Sequence, residues 1–365
     1  MDFSGHATLE DDLGPLGNGG GRGWLARHTL AVDPADRTAR GLVRQILPAR
    51  VSPPAGETVA QKRVRQGRES RLWLRGLDEI GPPPAGCHGI DAADRGADIF
   101  EFLQALTDRA RRFVVRSKHH RALGAGSAEA KAAALLPDRA RALPAAATWD
   151  LDIPARAGKP ARTARLSGAS APVTLRPPHV RQGDFRREPL ALTAVRAWEA
   201  DPPAGVAGLE WLLLTNEPAE TPAEIEQSAR RYACRRPIEE YHKGQKSGMS
   251  VEGCQAPSAD KMAAVVAVLS VIAVALMNLR LVVRAPAAAA EPAAGRVPAL
   301  WVAVLSRQQT GRPRAWTVAE FWSALARLGG HVKNPVKHPP GWLTLWRGWA
   351  RLHPLIRYHL SMTKM

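Results

Sequence analysis

The segment RYACRRPIEEYHKGQKSG, Arg231–Gly248, decides how this chain is read. It follows Thr221-Pro222-Ala223-Glu224, where a Thr N-cap, a Pro at the first helical position and a Glu three residues on make a helix start. This grammar predicts one long helix from Thr221 to about Lys246, kinked at Pro237. On it Tyr232, Arg235, Glu239 and Lys246 would fall within about 60° of one another at 100° per residue. A stripe at that spacing is ordinarily apolar and faces the core. Here it carries a phenol, a guanidinium, a carboxylate and an ammonium. A solvated charged face is the ordinary account of such a helix; a site is the alternative.

Working outward, the segments upstream read as mixed α/β. Residues 1–23 are a Gly-rich loop, and Trp24–Asp33 and Thr38–Val51 form a hairpin pattern. Lys62–Ile80 has the pattern of a basic amphipathic helix. Cys87–Ile99 is a strand ending in an acidic loop, Asp98–Arg109 a helix and Arg112–Lys118 a short strand. The texture changes at 119–218, where Pro, Ala and Arg dominate around short β-like runs such as Trp211–Thr215, so a β-rich insertion is expected. Downstream, Met262–Met277 is apolar apart from Ser270. At about 16 residues it falls short of the roughly 20 needed to cross a bilayer, so a buried core helix is expected. Residues 284–299 read as a low-complexity linker. Thr317–Gly330 and Trp342–His359 have helical patterns.

The 365 residues include 51 Lys and Arg against 34 Asp and Glu, a formal charge of +17. Such a surplus points to a polyanionic partner, because each phosphate neutralised by Lys or Arg releases condensed counterions. Cys87, Cys234 and Cys254 are widely spaced, which argues against a disulfide framework or a zinc site and for a reducing, cytosolic setting. The acidic N-terminus has no signal-peptide pattern.

The Tyr232-x2-Arg235-x3-Glu239-x6-Lys246 spacing, with Ile238-Glu239-Glu240-Tyr241-His242-Lys243 around it, resembles the signature of a family of bacterial insertion-sequence transposases. The transposase of a kanamycin transposon belongs to that family. Three more segments fall in its order. Ala93-Asp94-Arg95-Gly96-Ala97-Asp98-Ile99 resembles its second-aspartate motif. Phe113-Val114-Val115-Arg116-Ser117-Lys118 is similar to a strand whose Arg contacts a backbone phosphate, and Trp211–Thr215 to one whose Trp stacks on a flipped base. Ala326–Gly330 and Trp346–Trp349 are similar to the family's tail.

The resemblance implies a ribonuclease-H-like mixed sheet flanked by helices, interrupted by the β-rich insertion, with a helical C-terminal region. The domains would be a partial catalytic core at 1–118, the insertion at 119–218 and core helices at 219–283. The linker at 284–299 and a dimerisation-type region at 300–365 would follow. Asp94 and Glu239 would bind Mg²⁺ or Mn²⁺, hard ions that favour oxygen ligands, for hydrolysis and strand transfer. Arg116, Arg235, Lys246 and the Tyr232 hydroxyl would hold phosphates, and Trp211 would take the flipped base. DNA ends and a second subunit are the implied partners, in a cytoplasmic, nucleoid-associated setting without a membrane.

The family's first aspartate opens a motif that runs into a segment resembling Asp2-Phe3-Ser4-Gly5-His6. By this resemblance it falls about four residues upstream of Met1. The expectation is therefore a chain lacking that acid and the central first strand, poorly active and marginally stable. A non-catalytic DNA-binding or inhibitory remnant acting through mixed dimers is the second reading. A membrane-associated protein and a generic ribonuclease-H-like nuclease are further ones.

Overall fold

Near the N-terminus the chain doubles back, and Gly14–Leu16 (β1) pairs antiparallel with Gly21–Gly23 (β2). The expected hairpin follows, Arg27–Val32 (β3) against Ala39–Ile46 (β4). Asp33 and Asp36 shape its turn by accepting from the backbone N–H groups of Ala35 and Thr38 at 2.9 and 2.8 Å. The computed structural model describes residues 1–365 apart from 18, 66, 125–134, 154–159, 179–185, 336–337 and 363–365. The chain divides into two units, Pro53–Arg235 and Met1–Ser52 with Arg236–Met365.

The Pro53–Arg235 unit opens with Val59–Val64 (α1) and Arg71–Ile80 (α2), where one helix over Lys62–Ile80 was expected. The helix breaks because Arg65 leaves α1 in extended backbone (φ −60°, ψ 120°), two residues before Gly67. Ile90–Ala93 (β5), Phe100–Asp108 (α3) and Arg112–Arg116 (β6) then fall close to the expected places. Leu136–Arg141 (α4), Ala147–Ile153 (β7), Arg162–Leu175 (β8), Leu190–Glu199 (β9), Glu210–Thr215 (β10) and Pro222–Ala233 (α5) complete the unit.

Its sheet has six strands in the order β5-β6-β10-β9-β8-β7. β5 and β6 are parallel and every other pairing is antiparallel. Strands from the 119–218 segment therefore continue the sheet begun by β5 and β6, with Leu213 of β10 opposite Arg116 of β6. Positions 125–134, 154–159 and 179–185 of that segment lie outside the described residues. β8 is long enough to pair with β7 through its first half and with β9 through its second, so the sheet curls.

Helices cover both faces, which explains why the middle of β6, Phe113–Val115, is continuously apolar rather than alternating. Phe113 and Val115 pack with Leu214 against α2 and α3, while Val114 and Leu213 face Ile225 and Ala229 of α5. All five sheet residues are fully buried, each worth about 2 kcal/mol of transfer free energy. α5 approaches the sheet closely at Gly168, where an added Cβ would lie 2.6 Å from the Trp149 ring and 2.7 Å from Ile225.

In the other unit, Arg236–Lys243 (α6), Ala259–Val282 (α7), Pro286–Ala289 (α8), Ala299–Thr310 (α9), Val318–Leu328 (α10) and Trp342–Met362 (α11) share a core with β3 and β4. The single helix expected from Thr221 to Lys246 is broken instead. α5 ends at Ala233 and α6 starts at Arg236, and Gly244–Gly248 is a π-turn. Pro237 explains the first break, because it offers no N–H to a continuing ladder but fits the first turn of a new helix. The π-turn is shaped from outside: Gly244 and Gly248 lie against Trp342, where an added Cβ would come within 2.8 and 2.9 Å of that side chain.

α7 forms where the apolar run predicts a core helix, but it is longer than that run. At 24 residues it is long and apolar enough to span a bilayer by length and composition, and half of its most apolar window is buried. Met262, Val266, Ala273 and Met277 form its buried face, while Val268 and Val271 are 61% and 64% exposed. The Asn278 side chain ties α7 to β4 by bonding both backbone groups of Ala39, at 2.9 and 2.6 Å. The segment read as a linker carries α8 and a 3₁₀ turn at Ala293–Gly295. It is held by Ala293 N–H to Trp316 O (2.8 Å) and Val318 N–H to Glu291 O (2.9 Å).

Candidate functional site

Asp94 is the residue on which β5 ends. Its Oδ1 accepts from Gly96 N–H at 2.9 Å and so starts the 3₁₀ turn Arg95–Ala97. The side chain remains 48% exposed, and its Oδ2 lies 3.7 Å from Arg235 Nη1. Asp98, four residues on, plays a different part. It is buried and accepts from Lys118 N–H (2.7 Å), His119 N–H (2.9 Å) and Arg121 Nε (2.9 Å). Burial pushes its carboxyl up, but Arg121 and the two backbone amides outweigh that and hold it below the usual carboxylate range. Of the two aspartates in this motif, Asp94 presents its carboxylate and Asp98 fixes the segment that follows β6.

Arg116 closes β6 and donates through Nη2 to the carbonyl of Glu210 at 2.9 Å, which fastens it to the start of β10. Trp211, the next residue, meets Tyr232 of α5 edge to face with ring centroids 5.2 Å apart. Tyr232 is only 5% exposed and belongs to the core beneath α5. α5 itself is anchored by Glu217, a buried acid that takes Arg112 Nη2 at 2.7 Å from β6 and Arg231 Nη1 at 2.5 Å from the helix. The Pro53–Arg235 unit thus brings Asp94 to Arg235, Trp211 to Tyr232, and Arg116 to the strand that carries Trp211.

Glu239 and Lys246 belong to the other unit. Glu239 is exposed in the first turn of α6. Lys246 lies in the π-turn with Nζ 3.4 Å from Glu252 Oε1, which also accepts from Asp2 N–H at 2.9 Å. Beneath α6 Tyr241 is fully buried, and burial pushes its phenol up. His28 of β3 bonds His242 Nε2 at 3.1 Å and Gln45 Oε1 at 3.0 Å. Burial, with His242 adding to it, lowers the His28 imidazole to about 4.

No family model matches the chain. Among the described residues, no group of three or more His, Cys, Asp or Glu is assembled to hold a metal ion. Asp94 offers one accessible carboxylate, and its ion-pair neighbour in this unit is a guanidinium. What the Pro53–Arg235 unit can do by itself is bind anions and position them, through arginines held by the buried acids Asp98 and Glu217 and by a strand carbonyl.

Those acids escaped the sequence reading. Asp98 and Glu217 orient Arg121 and Arg112 through their carboxylates, and Glu210 holds Arg116 through its backbone carbonyl; of the three, only Asp98 falls within a motif of the resemblance. The available signal was an acid bordering a strongly apolar strand, as Glu210 and Glu217 both border Trp211–Thr215.

Proposed function

We propose that this protein acts in DNA transposition, as a cut-and-paste transposase of the ribonuclease-H-like, acidic-residue type. The observation that carries the reading is the Tyr232-x2-Arg235-x3-Glu239-x6-Lys246 signature, joined by the ion pair that sets Arg235 against Asp94. The parallel β5–β6 pair, with an accessible aspartate at the end of β5, also supports it. In this reading Asp94 and Glu239 are catalytic carboxylates, and Arg116, Arg235 and Lys246 hold backbone phosphates without reading sequence. Tyr232 supports Trp211, which stacks on an extruded base. The helical C-terminal region pairs two subunits on transposon ends in the bacterial cytoplasm.

Mg²⁺ or Mn²⁺ would supply the activated oxygen for in-line attack at phosphorus. The described residues of the Pro53–Arg235 unit do not by themselves make a site for such an ion.

The test is incubation of supercoiled DNA with the full chain in Mg²⁺, Mn²⁺ or EDTA, alongside Asp94→Ala and Glu239→Ala. Nicking that needs the metal and is lost in both variants supports the transposase. Tight DNA binding without nicking supports the non-catalytic reading, in which the chain acts through mixed dimers. Failure to bind DNA at 50 mM salt sinks both.

A further inference from the structure

Beside the Asp94 end of the sheet, and lying wholly within the Pro53–Arg235 unit, is a half-open cleft of about 230 Å³. Five cations line it: Arg95 after β5, Arg116 and Lys118 at and beyond the end of β6, Arg141 of α4 and Arg196 of β9. Its one acid is Glu210. The carboxylate of Glu210 takes Arg141 Nη2 at 2.8 Å and Arg196 Nε at 3.0 Å, and its carbonyl takes Arg116 Nη2 at 2.9 Å. The one carboxylate therefore aligns two guanidiniums and neutralises only one of them, while the carbonyl of the same residue holds a third. Arg196 is steadied further by the Trp198 ring, 4.2 Å below its guanidinium carbon.

Each fork keeps N–H donors that Glu210 does not use, and planar forks are the geometry that tetrahedral phosphate oxygens accept from in pairs. Lys118 is presented from a segment whose backbone Asp98 clamps. Its ammonium and the Arg95 guanidinium have no acid partner among the described residues. A surplus of four positive charges in an open cleft is costly to hold empty and falls when a polyanion enters.

We infer that this cleft seats backbone phosphates of a nucleic-acid strand, through Arg95, Lys118, Arg141 and Arg196, as a second anchorage beyond Arg116. An open cleft rather than a closed cavity admits a continuous chain. The inference rests on the DNA-directed reading given above and adds Arg141 and Arg196, which lie outside every segment that carries the resemblance.

The experiment is anisotropy of a labelled 30-base-pair duplex of arbitrary sequence with the full chain, titrated from 50 to 200 mM salt. Arg95→Ala and Lys118→Ala remove exposed side chains with no acid partner among the described residues, so the fold is kept. Each should weaken binding several-fold and reduce the slope of log K against log salt by about 1. Arg141→Ala with Arg196→Ala should cost at least tenfold. Arg165→Ala, an exposed residue paired with Asp150 on the far strands β7 and β8, serves as the control and should change neither. Wild-type DNA binding that all the cleft variants share undiminished overturns this inference and leaves the functional reading standing. A wild-type chain that binds no DNA overturns both. Cleft-dependent binding to phosphatidylserine vesicles, with none to DNA, overturns the partner assigned here.

Discussion

Arg235 and Asp94 meet across the Pro53–Arg235 unit, Nη1 to Oδ2 at 3.7 Å, although one follows α5 and the other ends β5. Helix α5 is held over the sheet by Gly168 and Glu217, so the meeting is a property of the fold rather than of two long side chains. Because Asp94 is nearly half exposed, the pair adds little to stability.

Asp94→Asn should accordingly shift the urea midpoint by the equivalent of less than about 1 kcal/mol, while abolishing any metal-dependent DNA cleavage. A large loss of stability would show that Asp94 is a structural acid like Asp98.

Glu217→Ala should be far more damaging. Removing a buried carboxylate shared by Arg112 and Arg231 leaves two guanidiniums facing the interior. Breaking such a pair costs about 3 kcal/mol, somewhat less where one partner reaches water as Arg112 does. Urea unfolding followed by tryptophan fluorescence measures it, and a cost below about 1 kcal/mol would mean that α5 is held by its apolar face alone.

His28 makes the Met1–Ser52 and Arg236–Met365 unit sensitive to mild acid. Its folded value of about 4 lies below the ordinary 6.5, so the unfolded chain takes up the proton first. The stability it contributes is complete above pH 6.5 and is lost as pH falls toward 4, by up to about 3 kcal/mol. His28→Gln should flatten the dependence of the urea midpoint between pH 7 and 5. An unchanged slope would place the titration elsewhere.

Gly168→Val should force α5 off the sheet, since even a Cβ meets Trp149 and Ile225 below contact distance. The expected cost is about 3 kcal/mol with a changed near-ultraviolet spectrum of Trp149. A fully native spectrum would show that the ring and helix yield easily.

Much of the local structure was legible from the sequence because its causes are local. The Thr221–Glu224 capping box and Pro222 at the helix start are both present, as is the hairpin of β3 and β4. Asp94 was correctly placed at the end of a strand. What escaped depends on distant partners. That Trp211–Thr215 lies between β6 and β9 is decided by pairing, which short apolar runs do not announce. The helix α9 was not foreseen. The stripe from Tyr232 to Lys246 assumed one regular helix, yet Pro237 restarts it and Trp342 distorts it from about a hundred residues away. Tyr232 and Glu239 therefore belong to different helices, and their spacing in sequence no longer fixes their angle.

The π-turn gives Lys246 an unusual dependence on chain length. Met249 N–H closes on the Gly244 carbonyl at 3.0 Å, five residues back, so the ring holds one residue more than an ordinary helical turn. Deleting a single residue between them would permit a standard turn and swivel all that follows by about 100°. The direction in which this amine points is thus set by counting, under the hand of an indole, and a one-codon loss there would re-aim it without altering any side chain it touches.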